Sequence, residues 1–162
     1  MKQAQKGDAQ FLEMIRQNEG IIYKITSFYT DKDHPISDLY QEVVLNLWKA
    51  FPSFRGESKY STWIYRIALN TCVSFFRRSK RDVTYVDITM DIPETVETNE
   101  DIQELYKLIN RLGKIERALV LLYLDDKSYK EIAEITGLSV TNVATKLSRI
   151  KDKLKQMSNE QN

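Results

Sequence analysis

Cysteine, histidine, proline and glycine are scarce in this chain, and each scarcity rules something out. A single cysteine, Cys72, among 162 residues excludes an intramolecular disulfide and agrees with a reducing compartment. One histidine, His34, beside one cysteine cannot build a zinc site. There is no glycine-rich phosphate loop, and the carboxylates lack the partners of an acid–base pair, so no catalytic residue, metal or cofactor is expected. His34 stands in a turn before Pro35 and reads as a surface residue. Long hydrophobic runs are missing as well: none approaches the ~20 apolar residues that cross a bilayer. The opening MKQAQKGDAQ has no apolar signal-peptide core, so a cytosolic protein without membrane insertion is expected.

What is present has the balance of a globular protein, 42% hydrophobic and 29% charged. A net charge of +1 conceals a segregation along the chain. Residues 55–81 hold seven basic side chains against one acidic, and residues 127–155 hold seven against three. Between them, residues 82–104 hold eight carboxylates (Asp82, Asp87, Asp91, Glu94, Glu97, Glu100, Asp101, Glu104) and no base. Two basic modules around an acidic segment suggest two contacts with a polyanion, joined by something that should not adhere to it.

With three prolines and five glycines, every long segment keeps a helical period. Asp8 is placed to cap a first helix with Phe11, Leu12 and Ile15 inward, and a second follows over about 21–29. After the turn TDKDHP, Ser37 or Asp38 would cap a helix running to about Ala50, stopped by Phe51-Pro52. PSFRGESKYS is a loop, and Ser61 would cap the next helix. Residues 82–100 have no helical period and read as an acidic linker. Helices are then expected at about 101–111, 114–124, 128–136 and 140–157, with a turn at Gly137. The expected fold is all-α, with one domain over 1–81 and a helix-turn-helix domain over 101–162.

Three constellations suggest chemistry. In SYKEIAEITGLSVTNVATKLSRIKDKL, Ser128 caps a short helix with Ile132, Ala133 and Ile135 inward, and Gly137 can end it left-handed. Ser139 then caps a second helix held by Val140, Val143, Leu147, Ile150 and Leu154. This is the helix-turn-helix pattern, whose second helix enters the major groove. Its outward Thr141, Asn142, Thr145, Lys146 and Arg149 are types that bond base edges or phosphates. A plain helical hairpin with a solvated basic face is the alternative.

In SDLYQEVVLNLWKAF, the stripe Leu39, Tyr40, Val43, Leu47 and Phe51 faces a core, yet Leu45 and Trp48 lie beside Asp38, Gln41 and Glu42 on another side. That is either an interface with apolar anchors and a polar rim, or a face covered by a neighbouring helix. In WIYRIALN and its continuation, Ile64, Ile67, Ala68, Thr71, Cys72 and Phe75 share one helix face. Trp63, Arg66, Asn70, Ser74, Arg77 and Arg81 share the opposite one, with Arg78 in the same basic cluster. Tryptophan is of little use in a groove but stacks on unpaired bases, so this face, with Tyr60 and Arg55 in the adjoining loop, suits single-stranded or opening DNA. The alternative makes Trp63 a core aromatic and the arginines a solvated helix end.

Together, DLYQEVVLNLWKAFPSFRGES, STWIYRIALNTCVSFFRR and YKEIAEITGLSVTNVATKLSRIKDKL resemble the bacterial RNA polymerase sigma factors of the extracytoplasmic-function class, over about residues 8–156. The resemblance implies domains matching the family's second and fourth conserved regions. It places Asp38, Gln41, Glu42, Leu45 and Trp48 on the helix that docks on core RNA polymerase. It places Arg55, Tyr60, Trp63, Arg66, Asn70, Arg77, Arg78 and Arg81 at the promoter −10 element, whose strand is opened and one base held. The loop 55–61 and Asn70 would touch that base. Thr141, Asn142, Thr145, Lys146 and Arg149 would read the −35 element, although Ala144 stands where many relatives carry a basic residue. The acidic linker would thread the polymerase channel later used by RNA, and an anti-sigma factor is a further implied partner. Two rival readings are a stand-alone helix-turn-helix repressor or activator, with a dimerising or sensing N-terminal domain, and a helical adaptor without DNA contacts.

Overall fold

The computed structural model describes residues 2–30, 32–79 and 100–161. Among them every regular element is a helix. The chain forms two compact units, Met1–Met90 and Asp91–Asn162.

The first unit packs three helices, α1 (Lys2–Tyr29), α2 (Ile36–Ala50) and α3 (Tyr60–Ser79), with a single 3-10 turn at Phe51–Ser53 after α2. Leu39, Val43 and Leu47 of α2 meet Ile22, Ile25 and Tyr29 of α1 and Ile64, Ala68 and Cys72 of α3 in a fully enclosed core. Burying each such aliphatic side chain contributes ~1.5–3 kcal/mol. The polar groups inside are satisfied locally. The Thr71 hydroxyl donates to the Ile67 carbonyl at 2.7 Å and accepts the Asn46 side-chain amide at 3.0 Å, tying α2 to α3.

Several expected boundaries and faces differ. No cap forms at Asp8, because α1 begins upstream of it; the expected division into two helices survives as a kink at Asn18 (φ −124°, ψ 15°). The Asn18 side-chain amide donates to the Met14 carbonyl at 2.8 Å, the acceptor that the backbone N–H of residue 18 serves in a regular helix. Leu12 is 56% exposed, and Met14 takes the inward place expected of it. α2 starts from Pro35 without a side-chain cap, so neither Ser37 nor Asp38 caps it; proline's fixed φ suits that entry. α3 starts one residue before Ser61, its first turn closed by the Trp63 N–H on the Lys59 carbonyl. Tyr65 and Leu69 are buried beside the face read from the sequence, which widens the apolar stripe of α3.

The second unit holds α4 (Glu100–Asn110), α5 (Lys114–Leu124), α6 (Tyr129–Thr136) and α7 (Val140–Gln161). Leu108 and Ile109, Leu119 and Leu122, Ile132 and Ile135, and Val143, Leu147 and Ile150 make its core, one pair or trio per helix. Arg117 is buried and donates to the Asn110 carbonyl at 2.8 Å, closing the end of α4 with a cation. Lys153 of α7 pairs with Glu116 of α5 at 3.1 Å. Val140, expected inward, is half exposed, and Met157 joins the buried row of α7 instead. The expected linker lies outside the described residues except Glu100. With Asp101 this residue forms the acidic first turn of α4, where the helix dipole favours negative charge.

Candidate nucleic-acid and docking interfaces

On α2, the rows Leu39–Val43–Leu47 and Leu45–Trp48 part company. The first is fully enclosed, whereas Leu45 and Trp48 are 44% and 43% exposed. They line an open hollow of ≈ 460 Å³ with Phe11, Tyr40, Gln41 and Val44. Gln41 is exposed at its border; on the same helix Asp38 is exposed and Glu42 is half-buried. The Trp48 indole meets the Phe11 ring edge-on, with centroids 4.9 Å apart, so α1 supports the indole from one side and leaves the other open. The Tyr40 hydroxyl holds its proton above the usual tyrosine range, first through burial and then through the negative charge of Glu19. The arrangement offers apolar anchors and a ring to bind beside them, with the exposed Asp38 carboxylate on the preceding turn of α2.

A second group surrounds the loop before α3. Phe54 stacks on Tyr60 at 4.7 Å, and Trp63 sits 5.0 Å from Phe54 and 6.4 Å from Phe51. Trp63 is thus half-buried by the phenylalanines of the 3-10 turn and loop, between the two placements read from the sequence. Tyr60 is 44% exposed and presents the open ring of the cluster. Arg55 is exposed in the same loop, which turns at Gly56 with φ +73°. Arg66 and Asn70, one turn apart, continue the exposed face of α3. Arg77 and Arg78 fall in the last turn of α3, but their side chains, like all of Arg81, lie outside the described residues. Phe51 was read from the sequence only as the last residue of the core stripe of α2, and Phe54 was not singled out. Their spacing around Pro52, F-P-S-F, is the signal that could have found them.

The third group is the α6–α7 pair. The Glu131 N–H donates to Ser128 Oγ at 3.1 Å and the Ser128 N–H to Glu131 Oε2 at 2.8 Å, a reciprocal cap. Gly137 ends α6 in the left-handed region (φ +78°, ψ 5°), its N–H on the Ala133 carbonyl at 2.9 Å. Ser139 Oγ then accepts the Asn142 N–H at 3.1 Å and opens α7. With Val143, Leu147 and Ile150 pinned inward, helical spacing turns Thr141, Asn142, Thr145 and Arg149 to solvent and leaves Lys146 half-buried. Ala144, also half-buried, offers no polar atom to a groove.

These features have matches among known proteins. The family model of sigma-70 region 2 matches residues 14–82, and that of sigma-70 region 4 matches residues 102–154. The chain is 28% identical over 176 residues to the ECF RNA polymerase sigma factor SigW of Bacillus subtilis (strain 168), covering 96% of this chain and 93% of that one. It is 26% identical over 171 residues to the ECF RNA polymerase sigma-E factor of Escherichia coli (strain K12), covering 94% and 88%. The sigma factor RpoE from Bartonella quintana, solved with the anti-sigma factor NepR, shares the fold with a TM-score of 0.76 at 20% identity, covering 93% and 97%. CnrH, solved with the cytosolic domain of CnrY, gives 0.69 at 18%, covering 98% and 96%. With both sigma-70 regions present in this order and full-length relatives of one kind, the chain belongs to the extracytoplasmic-function class of RNA polymerase sigma factors.

Proposed function

We propose that this chain docks on core RNA polymerase through α2 and selects promoters by holding the −10 strand on α3 and reading the −35 duplex with α7. Polymerase supplies the catalysis and the chain supplies the choice of start site, in the cytoplasm where both reside. In this division of labour Leu45 and Trp48 are the docking anchors and Asp38, Gln41 and Glu42 the rim that selects a basic partner. Arg55, Tyr60, Trp63 and Asn70 meet unpaired bases, while Arg66, Arg77, Arg78 and Arg81 follow the backbone. Thr141, Asn142, Thr145, Lys146 and Arg149 face the major groove. The observation that carries the reading is the exposed Leu45–Trp48 pair around an apolar hollow, because apolar side chains gathered at one open hollow, unlike those exposed singly elsewhere on the chain, mark a surface that a partner covers. A protein that covers the same pair would bar the polymerase, so an anti-sigma factor, the kind of partner solved with B. quintana RpoE, is a second occupant of this surface.

Size-exclusion chromatography with purified core polymerase tests the proposal. The parent chain should co-elute, and Leu45→Ala with Trp48→Ala should weaken association by several kcal/mol, since buried anchors contribute ~2 kcal/mol or more each. Undiminished co-elution of the folded double variant would remove α2 from the interface. A stand-alone repressor, by contrast, would bind a specific duplex tightly without polymerase.

A further inference from the structure

Phe11 lines the docking hollow from outside α2, and it also touches the aromatic cluster before α3. It lies on the arm of α1 before the kink at Asn18 and precedes the 14–82 stretch matched by sigma-70 region 2. It is nonetheless 4% exposed. Its ring stands edge-on to Trp48 of the docking hollow (4.9 Å between centroids, 74° between planes) and edge-on to Phe51 of the 3-10 turn (5.4 Å, 68°). From Phe51 the contacts continue to Trp63, to Phe54 and to Tyr60, at 6.4, 5.0 and 4.7 Å. The six rings form one packed row from the α2 surface to the loop before α3. Edge and tilted packing of rings is directional, so a shift of one ring re-aims the next.

We propose that Phe11 is a positioning residue shared by the two sites: wedged between Trp48 and Phe51, it sets the docking indole and, through Phe51 and Trp63, the wall behind Tyr60. The inference rests on the functions proposed for those two surfaces. A partner that presses on Trp48 moves a ring already in contact with Phe11, so docking and the shape of the base-holding loop share one free energy. The kink sets this arm apart from the rest of α1, and both Phe11 and Met14 are buried on it, ahead of the kink.

The test uses reconstituted holoenzyme with full-length chain carrying Phe11→Leu, Tyr60→Ala, Asn70→Ala, or Phe11→Leu with Tyr60→Ala. Leucine keeps most of the buried volume and loses the flat edge, so it separates filling from positioning. Phe11→Leu should weaken binding to core polymerase, and at saturating core it should still slow open-complex formation on duplex promoter. A template premelted across the −10 element should recover part of that loss. The pair Phe11→Leu and Tyr60→Ala should depart from multiplicative behaviour by about tenfold, a coupling typical of residues acting through one network. Wild-type opening by Phe11→Leu, or rates that simply multiply, would leave Phe11 as a space-filler and overturn the proposal. Wild-type opening by Tyr60→Ala and Asn70→Ala would instead overturn the strand-holding reading of the loop, and the coupling with it.

Discussion

Cys72 sits fully enclosed on α3, and burial pushes its thiol from an ordinary 9.0 up to about 12. A raised pKa means that the folded chain keeps a proton the unfolded chain releases. The associated stability is therefore complete below pH 9.0 and is lost as pH rises toward about 12. Urea unfolding across that window should show a steeper loss for the parent than for Cys72→Ala, which subtracts the tyrosines and lysines that titrate there too. Equal slopes would mean that the thiol is wetter than its enclosure implies. At neutral pH the same burial should keep Cys72 unreactive toward alkylating reagents until the domain opens. Asn70, seven residues away from the Trp63 cluster on the exposed face, makes a different demand. If it meets a base that has left the stack, Asn70→Ala should leave assembly with polymerase intact and slow strand opening, with part of the loss recovered on a premelted template. Stacking and capture contribute ~1–3 kcal/mol per base, and permanganate reactivity of unpaired thymines reads the change directly.

At the scale of elements, what could be read from the sequence was what helices encode in their own residues. The α6–turn–α7 unit was legible because Ser128, Gly137 and Ser139 each state a local geometry, and every one of those caps is present; the reciprocal bond to Glu131 was not read from the sequence. α1 was less legible: the kink at Asn18 comes from a side chain taking the Met14 carbonyl, a choice that hydrophobic spacing does not record. The start of α2 after Pro35 was missed because Ser37 and Asp38 also suit a cap, yet both fall inside the first turn, and Pro35 stands at the cap without a side-chain hydrogen bond. The docking face was legible in part. The misfit of Leu45 and Trp48 on α2 showed in the periodicity, but Phe11 arrives from 30 residues or more upstream and no spacing within α2 announces it. The cap itself is testable. Ser128→Ala removes the acceptor of the Glu131 N–H and should lower the stability of the second unit by about 1 kcal/mol, measured by denaturant unfolding. A change below a few tenths would mean that water replaces the hydroxyl there at no cost.

Over the whole molecule, charge distributes the work. The basic residues 55–81 and 127–155 flank the acidic residues 82–104, so a net charge of +1 gives little overall attraction to DNA while each basic module keeps its own. Affinity for duplex promoter should therefore fall with salt according to the phosphates actually contacted. Arg149, exposed on α7, allows two outcomes that separate its roles. If it reads a base, Arg149→Ala should cost ~1–3 kcal/mol and relax preference at one position; if it meets only phosphate, binding should weaken uniformly and the salt slope flatten by about one unit. No change in either quantity would move the reading face elsewhere on α7.

The chain has two tryptophans, and both lie in the first unit: Trp48 in the docking hollow and Trp63 in the aromatic cluster before α3. Replacing them with fluorotryptophan would make the protein its own pair of beacons, one fluorine resonance for each proposed interface and none from the helix-turn-helix unit. A polymerase carrying ordinary tryptophan would be invisible in that spectrum, whatever its size. Docking would be read first at Trp48, and a shift of the Trp63 resonance on adding polymerase alone, before any DNA, would show the two surfaces moving together.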